Sequence, residues 1–201
     1  MYACWQAAEY VVGARIPGDV VECGVWRGGS AMMLAGALLD AGDTSRTIWL
    51  YDTFTGMSEP TEHDVKTDGL HAQGKWQARR RDDGLVDWCL APLSEVRENV
   101  RSSGYPASRV RFVEGRVEDT IPGEMPDEIA ILRLDTDWYS STKHELHHLL
   151  PRVSRGGVLL IDDYGEWQGA RQAVDEYVQS HDARLLLART DYTGRIAIKA
   201  F

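Results

Sequence analysis

The chain has 201 residues, a formal net charge of −9 at pH 7 and a hydrophobic content of 43%. This length and apolar content fit one α/β domain with a true core, predicted to span residues 1–201. The acidic balance argues against a nucleic-acid partner and against an anionic membrane surface, because both attract basic patches.

Cysteine usage and the N-terminal sequence favour a cytoplasmic setting. Cys4, Cys23 and Cys89 are odd in number and lack metal-binding spacing, as expected of reduced, buried thiols. The first residues lack the basic stretch of a secretory signal, and no apolar run approaches the roughly 20 residues of a membrane span. We therefore expect a cytoplasmic protein with no membrane partner.

The first elements form a strand, a glycine-rich turn and a helix. After a short amphipathic helix over residues 2–13, a β-branched strand over 19–23 runs into the turn 24–30 and the helix-forming stretch 31–39. This layout is typical of nucleotide-binding sites, because the free N–H groups at the start of the helix face an anionic or polar ligand.

The spacing of the glycines distinguishes this turn from a dinucleotide-binding one. Gly24 and Gly28 are four residues apart, which does not match G-x-G-x-x-G. Trp26 between them would crowd a pyrophosphate, but it is suited to wall one side of an adenosine or methionine moiety. A role in packing alone is the alternative interpretation of the turn.

The second strand, over residues 47–51, ends at Asp52. An acidic residue at this point, roughly 20–30 residues after the glycine turn, is placed to hydrogen-bond ribose hydroxyls. The alternative is an Asp that serves only a turn or a helix cap.

Residues 55–90 lack a clear period and are dominated by Gly, Pro and charged residues, with Trp76 and Trp88 among them. Long irregular insertions in compact domains are usually functional. The sequence therefore predicts a lid-like insertion at about 55–90, whose aromatic residues either contact the substrate or clamp the insertion itself.

Two later strands end in carboxylates. The strand 129–132 leads to Asp135 and Asp137, and the strand 158–161 ends in Asp162 and Asp163. The residues between them suffice for a parallel crossover, so all four carboxylates are predicted at one edge of the sheet. Positions i and i+2 of a strand share a face, so Asp135 and Asp137 point to one side if the extended backbone continues to them.

Such a cluster needs a counter-charge. Two carboxylates about 4 Å apart repel by roughly 4 kcal/mol at an effective dielectric near 20. The site must take up protons, recruit an Arg or Lys, or bind a cation, and oxygen ligands favour Mg²⁺ over zinc. For Asp162 or Asp163 taken singly, the alternative is a cap on the following helix.

Three histidines lie on the helix between these strands. His144 and His148 share a helical face that suits zinc, with His147 beside them, yet no further Cys or His has a matching spacing. We therefore expect a solvated or core-edge role for all three.

The order of elements predicts the fold. Strands alternate with helices up to a final hairpin formed by residues 183–189 and 195–200. This order predicts a doubly wound α/β sheet, mostly parallel, with one antiparallel strand near the C-terminus.

Several segments together resemble a known family. They are 21–29 (VECGVWRGG), 51–57 (YDTFTGM), 93–100 (LSEVRENV), 115–122, 132–142, 156–164 and 171–174. In this order they resemble the macrocin O-methyltransferase family, the metal-dependent sugar O-methyltransferases of antibiotic biosynthesis. Members of that family usually carry a longer region before the first strand than the roughly 17 residues present here.

The resemblance implies a class I methyltransferase fold of the Rossmann-like type that uses S-adenosylmethionine and Mg²⁺. It implies Asp135, Asp162 and Asp163 as metal ligands and Asp137 as the general base. The cofactor-binding residues that it implies are Glu22, Gly24, Val25, Trp26, Ser30, Asp52, Thr53, Gly115, Val117, Glu118 and Asp135.

The predicted function is Mg²⁺-dependent methyl transfer from S-adenosylmethionine to a hydroxyl of a glycosylated natural product in secondary metabolism, with a homo-oligomer as a further expectation. A methyltransferase acting on a catechol or another phenol is the nearest alternative. A nicotinamide-dependent oxidoreductase is opposed by the Gly24–Gly28 spacing and by an expected lack of the Tyr-x-x-x-Lys pair. A non-catalytic cofactor-binding protein is opposed by the carboxylates, whose unused charge would be destabilising.

Overall fold

The computed structural model describes residues 1–181 and 183–200 and is built on a seven-stranded sheet. The strands are β1 (Asp19–Cys23), β2 (Ile48–Asp52), β3 (Val110–Glu114), β4 (Ile129–Leu134), β5 (Val153–Ile161), β6 (Ala188–Arg189) and β7 (Arg195–Ile198). The helices are α1 (Tyr2–Gly13), α2 (Gly29–Asp40), α3 (Ala72–Arg79), α4 (Leu93–Ser102), α5 (Val117–Thr120), α6 (Tyr139–Leu149) and α7 (Gln168–Ser180).

The strand order confirms the predicted doubly wound sheet. It is β3-β2-β1-β4-β5-β7-β6, and the first five of these strands are parallel. β7 runs antiparallel to both of its neighbours, so it is the predicted reversed strand. The final hairpin is also present. Its first strand, β6, has only two residues, and both pair with β7.

Burial on both faces explains why the central strands are so apolar. All six residues of β4 are buried, as expected of a parallel strand covered by helices on each side. One core cluster contains residues of α1, α2 and α4, including Leu34 and Val96. The other contains residues of α5, α6 and α7, including Leu146 and Val174.

The carboxyl ends of the parallel strands meet at one edge of the sheet. The backbone pairing continues past the strands there, because Asp135 N donates to Cys23 O at 2.8 Å and Asp162 N donates to Leu134 O at 2.9 Å. Gly24 permits this approach: it has a φ of +82°, and a Cβ on it would lie 2.0 Å from Asp135 O. The chain thus depends on glycine where β1 meets the acidic loop.

Residues 55–90 are more ordered than their sequence suggests. They contain α3 and two isolated antiparallel bridges, Val65 with His71 and Arg80 with Val86. A third bridge pairs Lys66 with Trp167, outside the segment. Its role as a lid stays a prediction.

Among the helices in the described part of the chain, none combines the length and apolarity that crossing a bilayer requires.

Replacing Gly24 should be far more damaging than replacing a glycine with open space around it. We expect Gly24→Ala to lower the free energy of unfolding by about 3 kcal/mol or more, because the new methyl group meets backbone atoms at a left-handed φ. Gly13→Ala is the control, since nothing lies within 4 Å of its Cβ position, and its change should stay within about 1 kcal/mol. Urea unfolding measures the free energy of unfolding of both variants. Equal losses in the two variants would contradict the steric role given to Gly24.

Candidate active site

A cavity of about 310 Å³ opens at the carboxyl edge of the sheet. The loops after β1 to β5 contribute to its wall, together with residues 56–58 and Cys89 of the 55–90 segment. All four clustered carboxylates, those of Asp135, Asp137, Asp162 and Asp163, line it. The predicted convergence of acidic side chains is therefore present in the structure.

Most of the residues expected to hold the cofactor lie on the same wall. Those lining the cavity are Gly24, Trp26, Asp52, Thr53, Gly115, Val117, Glu118 and Asp135. Glu22, Val25 and Ser30 are not part of the wall: Glu22 is fully buried behind it, where Ser30 Oγ donates to its carboxylate. Glu22 bonds both Ser30 and an arginine on β4, so its carboxylate lies behind the cavity wall.

That arginine, Arg133, is the counter-charge that the sequence analysis left unnamed. Its Nη1 lies 2.8 Å from Glu22 Oε1 and 2.6 Å from Asp135 Oδ2, and its Nη2 lies 2.9 Å from Asp162 Oδ1. The guanidinium is buried, so these charge-assisted bonds are weakly screened. The signal that identifies it is one cationic residue inside the otherwise apolar strand β4.

Three of the carboxylates are close enough to share one cation. Asp135, Asp162 and Asp163 each offer an oxygen, and these oxygens lie within 4.8 Å of one another. Mg²⁺ binds oxygens at about 2.0–2.1 Å, so ligands on opposite sides of it are roughly 4 Å apart. Asp163 Oδ2 is also buried without a hydrogen-bond partner in the described part of the chain. An orphaned acceptor and an all-oxygen donor set both fit a hard divalent cation.

Burial shapes the protonation of this cluster. Burial is the main cause that raises the pKa values of Asp135 and Asp163 well above the usual range, and neighbouring carboxylates add to it. Neither Asp162 nor Asp163 caps a helix, since α7 begins only at Gln168 and is preceded by Trp167. The helix-cap alternative for these two residues is therefore wrong.

Asp137 reaches the cavity by a route that the sequence did not predict. The strand β4 ends at Leu134 and the φ of Asp137 is +66°, so the extended backbone that the i to i+2 relation requires does not reach Asp137. Asp135 and Asp137 nevertheless line the same cavity. The Trp167 indole Nε1 donates to Asp137 Oδ1 at 3.0 Å. Burial raises the pKa of Asp137 to about 6, and hydrogen bonds from Asp163 and Trp167 limit that rise.

Asp52 organises the glycine-rich turn. Its Oδ2 accepts hydrogen bonds from the backbone N–H groups of Val25 and Trp26 at 2.7 and 2.9 Å, and its Oδ1 accepts one from Phe54 at 2.8 Å. The structure thus contains the turn role given above as the alternative, while Asp52 also lines the cavity. The bonds hold Trp26 in a left-handed conformation with 53% of its surface exposed.

Tryptophans attach the 55–90 segment beside the carboxylates. Trp88, Trp138 and Trp167 pack with centroid distances of 5.0–6.1 Å, with Met57 against them. Trp138 Nε1 donates to Ser58 O at 3.0 Å, and Ser58 lines the cavity. This cluster therefore fixes one wall of the cavity.

A second cavity, of about 780 Å³, lies between α6 and α7 and is lined by histidines, including His144 and His148. Within residues 1–181 and 183–200, the acidic trio is the one group of three or more candidate ligands whose atoms lie mutually close. Tyr139 and Lys143 also line this cavity, and Lys143 Nζ donates to Tyr139 Oη at 2.6 Å. The expected lack of a Tyr-x-x-x-Lys pair was therefore wrong, but neither residue of this pair lines the acidic cavity.

Comparison with known proteins decides the family. The model of the macrocin O-methyltransferase family matches residues 1–197. The chain belongs to the macrocin O-methyltransferase family. The resemblance carried by the sequence segments is thereby confirmed, and the protein is an O-methyltransferase.

Several known O-methyltransferases are similar to this chain. One is an 8-demethyl-8-(2,3-dimethoxy-alpha-L-rhamnosyl)-tetracenomycin-C 4'-O-methyltransferase of Streptomyces olivaceus, 38% identical over 186 residues, which are 92% of this chain and 67% of that protein. Another is a demethyldecarbamoylnovobiocin O-methyltransferase of Streptomyces niveus, 38% identical over 189 residues, or 94% and 69% of the two chains. The solved structure of the O-methyltransferase NovP matches with a TM-score of 0.85 at 35% identity, covering 100% of this chain and 79% of that one.

Behind the acidic loop of this methyltransferase lies a buried carboxyl that the sequence analysis missed. Glu145 on α6 is fully buried, and its Oε1 accepts a hydrogen bond from Thr136 Oγ1 at 2.9 Å. Burial raises its pKa to about 8, against the effect of the Thr136 bond. The available signal was helical spacing, since Glu145 shares the buried face of α6 with Thr142, Leu146 and Leu149.

Glu145 should make the stability of the protein fall as pH rises. The unfolded carboxyl ionises near pH 4.3, but the folded one holds its proton to about pH 8, so between these values the folded state binds more protons. We expect the free energy of unfolding of Glu145→Gln, relative to that of wild type, to increase from pH 5 to pH 8 by up to about 1.4 kcal/mol per pH unit. Urea unfolding at several pH values measures it.

Glu176→Gln is the control for this titration. Hydrogen bonds, first from Gln172, lower the pKa of Glu176 to about 2, so both its folded and unfolded forms are ionised above pH 5. The difference between this variant and wild type should stay constant from pH 5 to 8. If the difference in the free energy of unfolding between Glu145→Gln and wild type is also constant from pH 5 to 8, Glu145 is ionised in the folded protein.

Proposed function

We propose that this O-methyltransferase transfers a methyl group from S-adenosylmethionine to a hydroxyl of a glycosylated natural product in antibiotic biosynthesis, with Mg²⁺ as its metal. The observation that carries the proposal is the set of three carboxylates beside Asp137 in one cavity. Two relatives that are 38% identical are named for a rhamnosyl-tetracenomycin and for demethyldecarbamoylnovobiocin, which supports the substrate class. The three cysteines are free, which supports a reducing, cytoplasmic setting, although only Cys4 and Cys23 are buried and Cys89 is partly exposed.

The donor site is proposed on the wall formed by the loops after β1, β2 and β3. Gly24 and Trp26, Asp52 and Thr53, and Gly115 come from these three loops and face the same cavity as the carboxylates. The exposed indole of Trp26 offers a flat surface for an adenosine ring. The acidic lining also suits a donor that carries a positive sulfonium group.

The metal site is proposed on Asp135, Asp162 and Asp163. Arg133 bonds one oxygen of Asp135 and one of Asp162, which leaves the second oxygen of each for a cation. When bound, S-adenosylmethionine supplies an electrophilic methyl group, and Mg²⁺ supplies positive charge that lowers the pKa of a neighbouring hydroxyl. Arg133 keeps these two carboxylates in fixed orientations by its hydrogen bonds to them, with or without a bound cation.

Asp137 is proposed as the general base. A carboxylate with a pKa of about 6 is ionised at neutral pH, yet it is basic enough to accept a proton from an acidified hydroxyl. The proton of the acceptor hydroxyl would pass to Asp137 as the hydroxyl oxygen bonds to the methyl carbon. The carbon–sulfur bond would break with its electron pair on sulfur and release neutral S-adenosylhomocysteine. Residues of the cavity wall would hold donor and acceptor beside Asp137, and such positioning is a main contribution of a site of this kind.

Removing the proton acceptor should abolish turnover and leave the binding of S-adenosylmethionine unchanged. We expect Asp137→Asn to lower kcat by about 100- to 10,000-fold. The dissociation constant of S-adenosylmethionine, measured by calorimetry, should change little, because the amide keeps the shape of the side chain and its bond to Trp167. Asp127→Asn, at a fully exposed site outside the cavity, is the control and should keep wild-type kcat. Unchanged turnover in Asp137→Asn would remove Asp137 from the role of base.

Removal of divalent cations should abolish activity, and Mg²⁺ should restore it. The expected reason is that the three carboxylates cannot acidify an acceptor hydroxyl without the cation. Binding of Mn²⁺, followed by its paramagnetic resonance signal, should weaken at least about tenfold in Asp163→Asn, which loses a ligand. Activity that survives exhaustive treatment with EDTA would contradict the proposed requirement for a metal.

A panel of glycosides and catechols in the same assay separates the sugar substrate from the phenolic alternative.

A further inference from the structure

Trp167 makes a contact that packing alone does not require. Its side chain is 4% exposed, and its Nε1 donates to Asp137 Oδ1 at 3.0 Å. A buried indole N–H needs an acceptor, but two other tryptophans near the site use backbone oxygens: Trp76 donates to Met57 O and Trp138 to Ser58 O. Trp167 instead donates to a carboxylate that lines the cavity, that of Asp137.

The backbone of Asp137 makes this contact more informative. Its φ of +66° is a left-handed conformation that L-residues other than glycine adopt at a cost. Strained residues of this kind persist where the surroundings over-determine them, and they cluster at active sites. A turn bond from Trp138 N to Thr136 O, at 2.8 Å, holds the main chain, and the Trp167 bond holds the side chain.

Trp167 is itself held from several directions. Its ring packs edge-on against Trp138, with centroids 5.0 Å apart. Its backbone N donates to Asp163 O at 3.0 Å, and its bridge to Lys66 joins it to the 55–90 segment. The indole therefore has little freedom to turn away, and it links a proposed metal-binding residue to the proposed base.

We propose that Trp167 is a positioning residue for methyl transfer: its indole N–H bonds Oδ1 of Asp137 and so orients the carboxylate that takes the proton of the acceptor. This inference rests on the proposed role of Asp137 as base. Trp167 contacts neither the donor nor the acceptor directly, since it is not part of the cavity wall. Its loss should therefore affect the rate of the chemical step and not the binding of either substrate.

The test is Trp167→Phe, which keeps an aromatic ring and removes the N–H donor. A hydrogen bond to a charged group is strong enough that kcat should fall roughly 10- to 100-fold. The KM of the acceptor glycoside and the dissociation constant of S-adenosylmethionine should stay within about threefold of wild type. If the Phe variant does not fold, benzothienylalanine at position 167 replaces the N–H by sulfur and preserves the ring shape.

Trp49→Phe is the matched control. Trp49 Nε1 also donates to an aspartate, Asp19 Oδ2, at 2.9 Å, but it lies on β2 outside the cavity wall. This variant loses the same kind of bond, so it should lose comparable thermal stability and keep wild-type kcat. Equal kcat values in the two variants, or a loss at Trp167 that appears only in KM, would overturn the inference.

A double substitution separates this inference from the proposed base. When Asp137→Asn has already removed the base, adding Trp167→Phe should lower kcat by less than about threefold, because no proton acceptor remains to be positioned. A full additional tenfold loss would show that Trp167 acts independently of Asp137, and this would overturn the inference alone. High turnover in Asp137→Asn by itself would instead overturn the proposed role of the base.

Discussion

The structure of this site depends on one buried guanidinium. Arg133 pairs with Glu22, Asp135 and Asp162 at the point where β1, β4 and β5 lie side by side. Removal of one partner from a buried ionic network typically costs several kcal/mol, because it leaves an uncompensated charge in a medium of low dielectric. Arg133 therefore allows carboxylates from neighbouring strands to be buried together, and it leaves enough unpaired oxygen atoms for a divalent cation.

This network also explains why some residues of the glycine-rich motif lie behind the cavity. Ser30 on α2 bonds Glu22, and Glu22 bonds Arg133, so the chain of contacts runs from the helix after the turn to the acidic loops. In this structure, Glu22 and Ser30 support the wall of the cavity from behind. The wall itself is formed by neighbours in the motif, including Gly24 and Trp26.

The 55–90 segment shows how a stretch without periodicity becomes ordered through polar contacts. Asp64 is fully buried, and it accepts hydrogen bonds from Thr61 N and, at 2.8 Å, from Tyr139 N in the first turn of α6. An N–H at the start of a helix has no partner within the helix, so the segment supplies the cap that α6 lacks locally. The same contact fixes the segment near Asp137, which lies two residues before that helix begins.

The sequence alone determined the fold class and the place of the acidic cluster. Alternating apolar strands and helices require a parallel sheet, and residues after neighbouring parallel strands, such as Asp135 and Asp162, must then meet at one edge. Periodicity assigns a side chain to a face but does not name its partner on another element. The contacts of Arg133, the burial that raises the pKa of Glu145 and the bond from Trp167 to Asp137 were therefore decided only by the tertiary structure, because each depends on which polar atoms come together across separate elements.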